Sequence, residues 1–440
     1  MTYTAGPVAR VLFASMIGTT IEFFDFYIYA TAAVLVFPRL FFAAGDPTAA
    51  VLQSLATFAL AFFARPVGSV LFGHFGDRIG RKKTLVASLM TMGLSTVLIG
   101  LLPTYASIGV FAPLLLSLCR FGQGLGLGGE WGGAVLLAVE NAPEGQRARY
   151  GMFPQFGAPV GFLCSSGIFL LLTDRLTDSE FLTYGWRIPF LASAALVFVG
   201  LYVRLRLAET PVFARAIANH ERERVPMLTL LKHQPETVLL GTFAAVATFV
   251  IFYLMTVFSL SWSITQFGYD RRNFLILQMV AVLFFALTIP ISAVLADRYG
   301  RYRTLIAATL GIMLYGLVYG RLFGPGSAAG MLLFLSLGLA LMGLTYGPLG
   351  TALTELYPTT VRYTGASLSF NLAGIVGASL APYIATRLAT QYGVDAVGYY
   401  LSAAGLLTLT ALIILAVIGR STAAAPSASK QHRRIPPRSR

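Results

Sequence analysis

The sequence predicts an all-α membrane protein with twelve transmembrane helices divided six and six. Three observations predict it. The 440-residue chain is 56% hydrophobic and only 11% charged, with a mean hydropathy of +0.74. A soluble globule carries about 25% charge, so this chain has too little polar surface to cover itself in water. Twelve runs are long and apolar enough to cross a bilayer. Finally, a short motif is written twice, half the chain apart.

A spanning helix takes about 20 apolar residues at a rise of about 1.5 Å each. The runs are 11–37, 51–74, 84–103, 110–140, 150–173, 186–207, 237–264, 273–296, 304–322, 329–354, 364–387 and 397–419. The first is too long, and too acidic, to be a cleavable signal peptide. Turn and polar residues fill the intervals. Residues 1–207 and 237–420 form the two six-helix halves. Between them 208–236, rich in Arg, Glu and His, reads as a cytoplasmic loop with short amphipathic helical character. Residues 421–440 lack apolar periodicity and read as a disordered basic tail. Cys119 and Cys164 lie in apolar runs and read as packing residues, with no disulfide, metal or cofactor expected.

The net charge of +14 raises the question of nucleic acid, and its distribution answers it. With the N-terminus inside, 23 of the 32 Lys and Arg residues fall in inside segments, 7 fall outside, and Arg65 and Arg120 lie within spans. Such a bias sets topology. Both termini are expected in the cytoplasm, and no nucleic-acid partner is expected.

Residues 73–83 and 293–303 share Asp-Arg-x-Gly-Arg, with Asp77 and Asp297 in equivalent places. Glu140-x-x-Pro143-x-x-x-Arg147 recurs as Glu355-x-x-Pro358-x-x-x-Arg362. Two motifs repeated at nearly one offset argue for homologous halves, and in a membrane protein such halves point to a transporter that rocks one half against the other. Asp77 is placed to accept from helix N-terminal amides of the opposite half, and Arg81 to pair with Glu140. Glu140–Arg147 and Glu355–Arg362 offer further ionic links on the same face. For Asp77, Arg81, Asp297 and Arg301 a conformational role is favoured over plain packing. Ala293 stands where the first copy has Gly73, which makes close backbone approach less assured there.

Gly73-x-x-x-Asp77-Arg78-x-Gly80-Arg81-Lys82, repeated between spans eight and nine, resembles the signature loop of the major facilitator superfamily. That resemblance implies two six-helix bundles around a central cavity, alternating access, and loop Asp and Arg residues that help hold the cytoplasmic side shut. Further segments resemble the metabolite:proton symporter subfamily, and together they cover nearly the whole chain. They are Glu22-Phe23-Phe24-Asp25-Phe26-Tyr27, Arg65-Pro66-x-Gly68, Arg120-x-x-Gln123-Gly124, Gly128-Gly129-Glu130-Trp131-Gly132-Gly133, Gly185-Trp186-Arg187-x-Pro189-Phe190, Glu209-Thr210-Pro211-x-Phe213 and Val361-Arg362-Tyr363-x-Gly365. The resemblance implies a bacterial inner-membrane protein. Substrates of that subfamily include shikimate, 2-oxoglutarate, citrate, proline and betaine.

Charges at mid-depth in a membrane are expensive and usually functional. Five lie deep, namely Glu22, Asp25, Arg65, Arg120 and Glu130, and all are in the first half. The first four fall about 14–21 Å from the span ends at the helical rise. Glu22, Asp25 and Tyr29 share one helix face by spacing. Arg120 and Gln123 form a similar face on span four. Because an arginine keeps its charge, Arg65 and Arg120 need anionic partners, either the span-one acids or a substrate carboxylate. The spans hold no deep histidine, so Asp25, Glu22 and Glu130 are the candidate proton carriers. Two readings stay open here: a proton cycle in which protonation of a span-one acid frees an arginine for substrate, or static buried salt bridges. Glu130 is as consistent with a structural place beside the glycines as with transport.

Gly124, Gly128 and Gly132, spaced by four, predict close approach of another helix, and Gln155, Gly157, Pro159 and Gly161 predict a bend in span five. In the second half Tyr253, Tyr346 and Asn371 join the candidate substrate contacts. Trp262, Thr345 and Tyr383 are weaker. Asn371 leads because an uncharged amide at mid-depth needs a partner.

The expected function is import of a small organic acid by a proton-coupled symporter, acting as a monomer in the bilayer with protons and substrate as partners. The alternative is an uncoupled uniporter or transporter-like sensor for a zwitterion such as proline or betaine. An enzyme is disfavoured: the sequence has no nucleophile–base pair, metal-ligand spacing or sizeable soluble domain.

Overall fold

In the computed structural model, residues 5–42, 46–79, 81–206, 226–358 and 361–424 are described, and side chains are described except at 5–8, 10, 73–85, 203–206, 226 and 419–424. The described residues are helical, without strands. The spans are Ala5–Leu35, Pro47–Ile79, Arg81–Leu101, Phe111–Leu127 with Glu130–Glu140, Arg147–Gln155 with Gly157–Arg175, and Arg187–Arg206 in the first half. In the second half they are Pro235–Thr265, Arg271–Tyr299, Arg301–Leu317, Ala328–Glu355, Arg362–Tyr392 and Val394–Ala424. They are called spans 1 to 12 below. Eight are long and apolar enough alone to cross a membrane, and span 6 joins them through a 41° bend after Asp178–Gly185. Span 9 is short at Arg301–Leu317, and span 4 is broken after Leu127. The last span continues to Ala424, into the stretch expected as a tail. A helix at Pro226–His233 lies in the expected central loop.

Span 4 is two helices rather than one. The amide of Gly128 turns to the Leu125 carbonyl at 3.3 Å, and the Gly128-Gly129 pair offers little resistance to the break. Its small residues do what their spacing predicts. A Cβ on Gly128 would run into the Arg65 carbonyl and the Ser69 amide of span 2. One on Gly124 would meet the Ala61 backbone, and on the reverse side Gly68 of span 2 abuts the Leu125 backbone. Spans 2 and 4 therefore touch along their backbones. In a membrane, close packing of this kind is a main source of helix association. The span 5 break falls at Phe156, after Pro154, near the expected bend.

Spans 7 and 11 carry π turns at Leu254–Phe258 and Ile375–Ser379 that the sequence reading missed. A π turn displaces carbonyls from their usual partners. In span 7 the Gln278 side chain of span 8 repairs this, donating to the Met255 and Thr256 carbonyls at 3.1 and 2.7 Å.

Gly128→Ala is expected to lower the thermal midpoint of the detergent-solubilised protein through about 1–3 kcal/mol of overpacking. Gly129→Ala, whose Cβ would meet only the Tyr363 hydroxyl at 3.5 Å, is the tolerated comparison. Equal melting of both variants would refute backbone contact between spans 2 and 4.

Candidate functional site

Between the halves lies a cavity of about 40 Å³. It is narrow, and nine of its sixteen lining residues are aromatic, so few polar groups can orient a ligand there. Those groups are Glu22, Arg65, Thr248, Asn371 and the hydroxyls of Tyr27, Tyr253 and Tyr346. Of the sequence candidates, Glu22, Arg65, Tyr253, Tyr346 and Asn371 meet at this cavity. Asp25, Tyr29, Arg120, Gln123 and Glu130 do not line it.

Arg65 is 8% exposed, and its guanidinium carbon lies 4.7 Å from the ring centres of Phe26 and Phe62. Its buried Nε–H has no acceptor, and neither does the buried hydroxyl of Tyr346. Buried donors left in this condition are costly. Asn371 donates to the Ser69 hydroxyl at 3.1 Å and the Gly128 carbonyl at 3.0 Å, joining the halves at the cavity edge. Tyr253 packs among Phe26, Phe58 and Phe62.

Behind Phe26 sits a second polar group, wholly inside the first half. The Arg120 guanidinium carbon lies 4.0 Å from the Tyr29 ring centre and 4.3 Å from that of Phe26. Its Nη1 donates to Gln123 Oε1 at 3.0 Å, and Gln123 Nε2 donates to the Thr96 hydroxyl at 2.8 Å. Thr96 donates to Asp25 at 3.2 Å, and Ser193 donates to its other oxygen at 2.5 Å. A direct Asp25–arginine contact, one of the two alternatives the sequence left open, is thus replaced by a chain through two neutral side chains. The helix face shared by Glu22, Asp25 and Tyr29 is divided among neighbours. Glu22 meets the cavity, Asp25 meets spans 3 and 6, and Tyr29 meets Thr57 of span 2 at 2.9 Å. Glu130 accepts from Ser88 of span 3 at 3.0 Å.

The face bearing the repeated motifs is clasped across the halves. Asp297, ending span 8, accepts from the Ala148 and Arg149 amides at 2.9 and 3.1 Å, and the Arg149 side chain stands 3.6 Å away. This is the contact with helix N-terminal amides expected of Asp77. Glu355 pairs with Arg147 of the first half at 3.0 Å and with Arg301. The Arg301–Glu355 pair is the second-half counterpart of the expected Arg81–Glu140. Contrary to expectation, Arg362 does not pair with Glu355; its Nε–H donates to the Tyr357 carbonyl at 3.1 Å. Arg147 turns across the halves rather than along its own loop. Glu140 ends span 4 on this face. The side chains of Asp77 and Arg81, and the surroundings of Gly73, lie outside what is described.

Five contacts were not anticipated. Trp131 stacks on Phe370 across the halves at 3.5 Å between ring centres. Gln155 accepts from the Trp131 indole at 3.1 Å and donates to the Tyr346 carbonyl at 2.9 Å. On the opposite face Arg272 meets Asp174 at 2.8 Å and Arg271 meets Asp178 at 3.5 Å. Spans 5 and 8 are therefore tied at both ends, with the charges exchanged: base on span 5 at the motif face, acid on the span 5 side at the other. Repetition of the halves was the available signal, since it implies that the ends of these two spans lie together.

The family model for the Major Facilitator Superfamily matches residues 15–378. The chain is 58% identical over 410 residues to the inner membrane metabolite transport protein YhjE of Escherichia coli K12, covering 92% of this chain and 93% of that one. It is 36% identical to the E. coli K12 shikimate transporter (94% and 96% covered) and 29% identical to the proline/betaine transporter of Salmonella typhimurium (87% and 78% covered). Among solved structures, the proton:xylose symporter XylE superposes with a TM-score of 0.73 at 14% identity, covering 94% and 96% of the two chains, which shows the fold. With its twelve spans, repeated motif and central cavity, this chain belongs to the Major Facilitator Superfamily and is a transporter, not an enzyme.

Proposed function

We propose that the protein is a proton-coupled symporter that imports a small organic acid across the bacterial inner membrane by alternating access. One observation carries this reading: the unsatisfied Arg65 Nε–H in an aromatic cavity that also holds Glu22. A carboxylate on Arg65, with Asn371 and the Tyr346 hydroxyl beside it, satisfies those donors. Charge balance then requires the proton. Three acids and two arginines lie buried in the first half. Admitting one more anion to low dielectric is far cheaper when an acid is neutralised at the same time. Asp25, Glu22 and Glu130 are the groups able to do so, with Arg120, Gln123 and Tyr29 as the supporting layer. The shikimate transporter among the relatives, and the proton symporters among the structural neighbours, support the reading.

The motif face is assigned to the cytoplasm because the Lys and Arg excess lies there. Asp297, Glu355, Arg147 and Arg301 form the gate on that side, with Gly73, Asp77, Arg81, Glu140 and Arg362 at or beside it. A zwitterion is the second reading, favoured by Glu22 and Arg65 lining one cavity.

In liposomes with an internal pH dye, a panel of shikimate, 2-oxoglutarate, citrate, proline and betaine should give lumenal acidification with one organic acid. Asp25→Asn should abolish uphill accumulation yet spare exchange, and unimpaired accumulation would sink the coupling. Arg65→Gln should weaken binding of the active acid by at least about tenfold, the loss of one charge-assisted hydrogen-bonded pair. Response to betaine alone would favour the zwitterion.

Gate variants should differ in strength. Asp297 and Glu355 are 8% and 11% exposed, whereas Arg272 and Asp174 are 51% and 46% exposed. Asp297→Asn is expected to favour opening of the motif face by about 1–3 kcal/mol. Arg272→Gln should shift the opposite face by no more than about 1 kcal/mol. Spin-label distances across each face would check both, and equal shifts would contradict the assignment.

A further inference from the structure

Two charges of opposite sign, Asp25 and Arg120, sit at the ends of an ordered neutral chain inside the first half. Gln123 points its amide nitrogen toward the Asp25 end and its carbonyl toward Arg120. Thr96 accepts from that nitrogen, and so must direct its one proton elsewhere, toward Asp25 and the Met92 carbonyl at 3.2 and 3.0 Å. The donors all run one way, from Arg120 to Asp25. This is the alignment that a cation at one end and an anion at the other impose on a dipole in low dielectric. Arg120 has a further reason to respond: it is fully buried and its Nη2 has no partner. Gln123 is its one side-chain acceptor among the described residues.

We infer that Thr96 and Gln123 carry the protonation state of Asp25 to Arg120, so that the proton site and the anion site are coupled through a neutral hydrogen-bonded chain. They are positioning residues. This rests on the symport reading above and gives it a route. With Asp25 ionised, the chain is held in order and the Arg120 charge is compensated. With Asp25 protonated, the anion that orders the chain is gone, and Arg120 becomes an uncompensated cation behind Phe26. The Phe26 ring lines the cavity and lies 4.7 Å from the Arg65 guanidinium carbon, so the added positive potential falls where the substrate anion binds. Proton and substrate then favour each other without touching, which is a coupling between sites.

The other groups around Asp25 define the controls. Ser193 of span 6 holds its second oxygen. Glu130 is the acid facing it from span 4, and Glu22 lies one turn away on span 1. Spans 5 and 7 bring Phe162, Phe252 and Tyr253 to the same level of span 1.

The test is a double-mutant cycle read by infrared difference spectroscopy of the Asp25 carboxyl in the full chain, identified by its loss in Asp25→Asn. It needs no ligand. Arg120→Gln should move the pH midpoint of the Asp25 band upward by about one unit or more in the wild-type background, and by less than about 0.3 unit in the Thr96→Val background. A shift of equal size in both backgrounds would mean that the charges act directly through space, and no shift in either would mean that they are not coupled. Both outcomes overturn the relay. Gln123→Leu, which keeps both charges and removes the dipole, should move the midpoint in the same sense and serves if Arg120→Gln does not fold. Proton-driven accumulation of each panel compound is measured separately in wild type. If the cycle shows the relay but wild type gives no proton-driven uptake of any panel compound, the symport reading fails and the relay stands. If wild type couples uptake and Thr96→Val leaves the midpoint shift intact, the relay alone fails.

Discussion

The rest of the structure depends on one constraint: a charge taken out of water must be compensated within a few ångströms. Five charges are buried in one half of this chain, and the structure compensates them in three ways. Asp25 takes two hydroxyl donors and reaches Arg120 through Thr96 and Gln123. Both arginines lie over aromatic rings, where the ring quadrupole replaces part of the lost hydration. Glu22 and Arg65 share the cavity wall. At the cavity itself the Arg65 Nε–H and the Tyr346 hydroxyl are left without acceptors.

Close packing is what allows this layout. Gly124 and Gly128 bring span 4 against the backbone of span 2, and Arg120 and Arg65 lie 4.3 and 4.7 Å from the Phe26 ring centre. A wider separation would open the polar layer to the cavity and merge two environments that are now distinct. The break at Gly128-Gly129 also frees the Gly128 carbonyl for Asn371, one of the polar links between the halves.

The halves meet through contacts of unequal strength. At the motif face, Asp297 and Glu355 are largely buried and each has more than one partner. At the other face the ion pairs are more exposed, with one basic partner for each acid. Both sets lie at the ends of spans 5 and 8 or beside them. A rocking motion that separates one pair of ends therefore need not separate the other.

Composition alone determined that the chain lives in a membrane, because no arrangement of so few polar residues could shield it from water. Run lengths determined twelve spans, and the repeated motifs determined two halves and the face on which they clasp. The five deep charges were legible one by one, because an ionisable residue in an apolar run stands out. Which of them face each other was not. Helical spacing put Glu22, Asp25 and Tyr29 on one side of span 1, but a helix face about 60° wide can touch several neighbours, and here it touches different ones. Thr96 and Ser193 left no signal, since a lone hydroxyl in a span usually bonds its own helix. The π turns of spans 7 and 11 and the ties at the outer ends of spans 5 and 8 depend on side chains brought from distant helices. The sequence by itself determined which charges had to be compensated; only the packing of helices far apart in the chain decided by what, because compensation acts over a few ångströms of space and not along the chain.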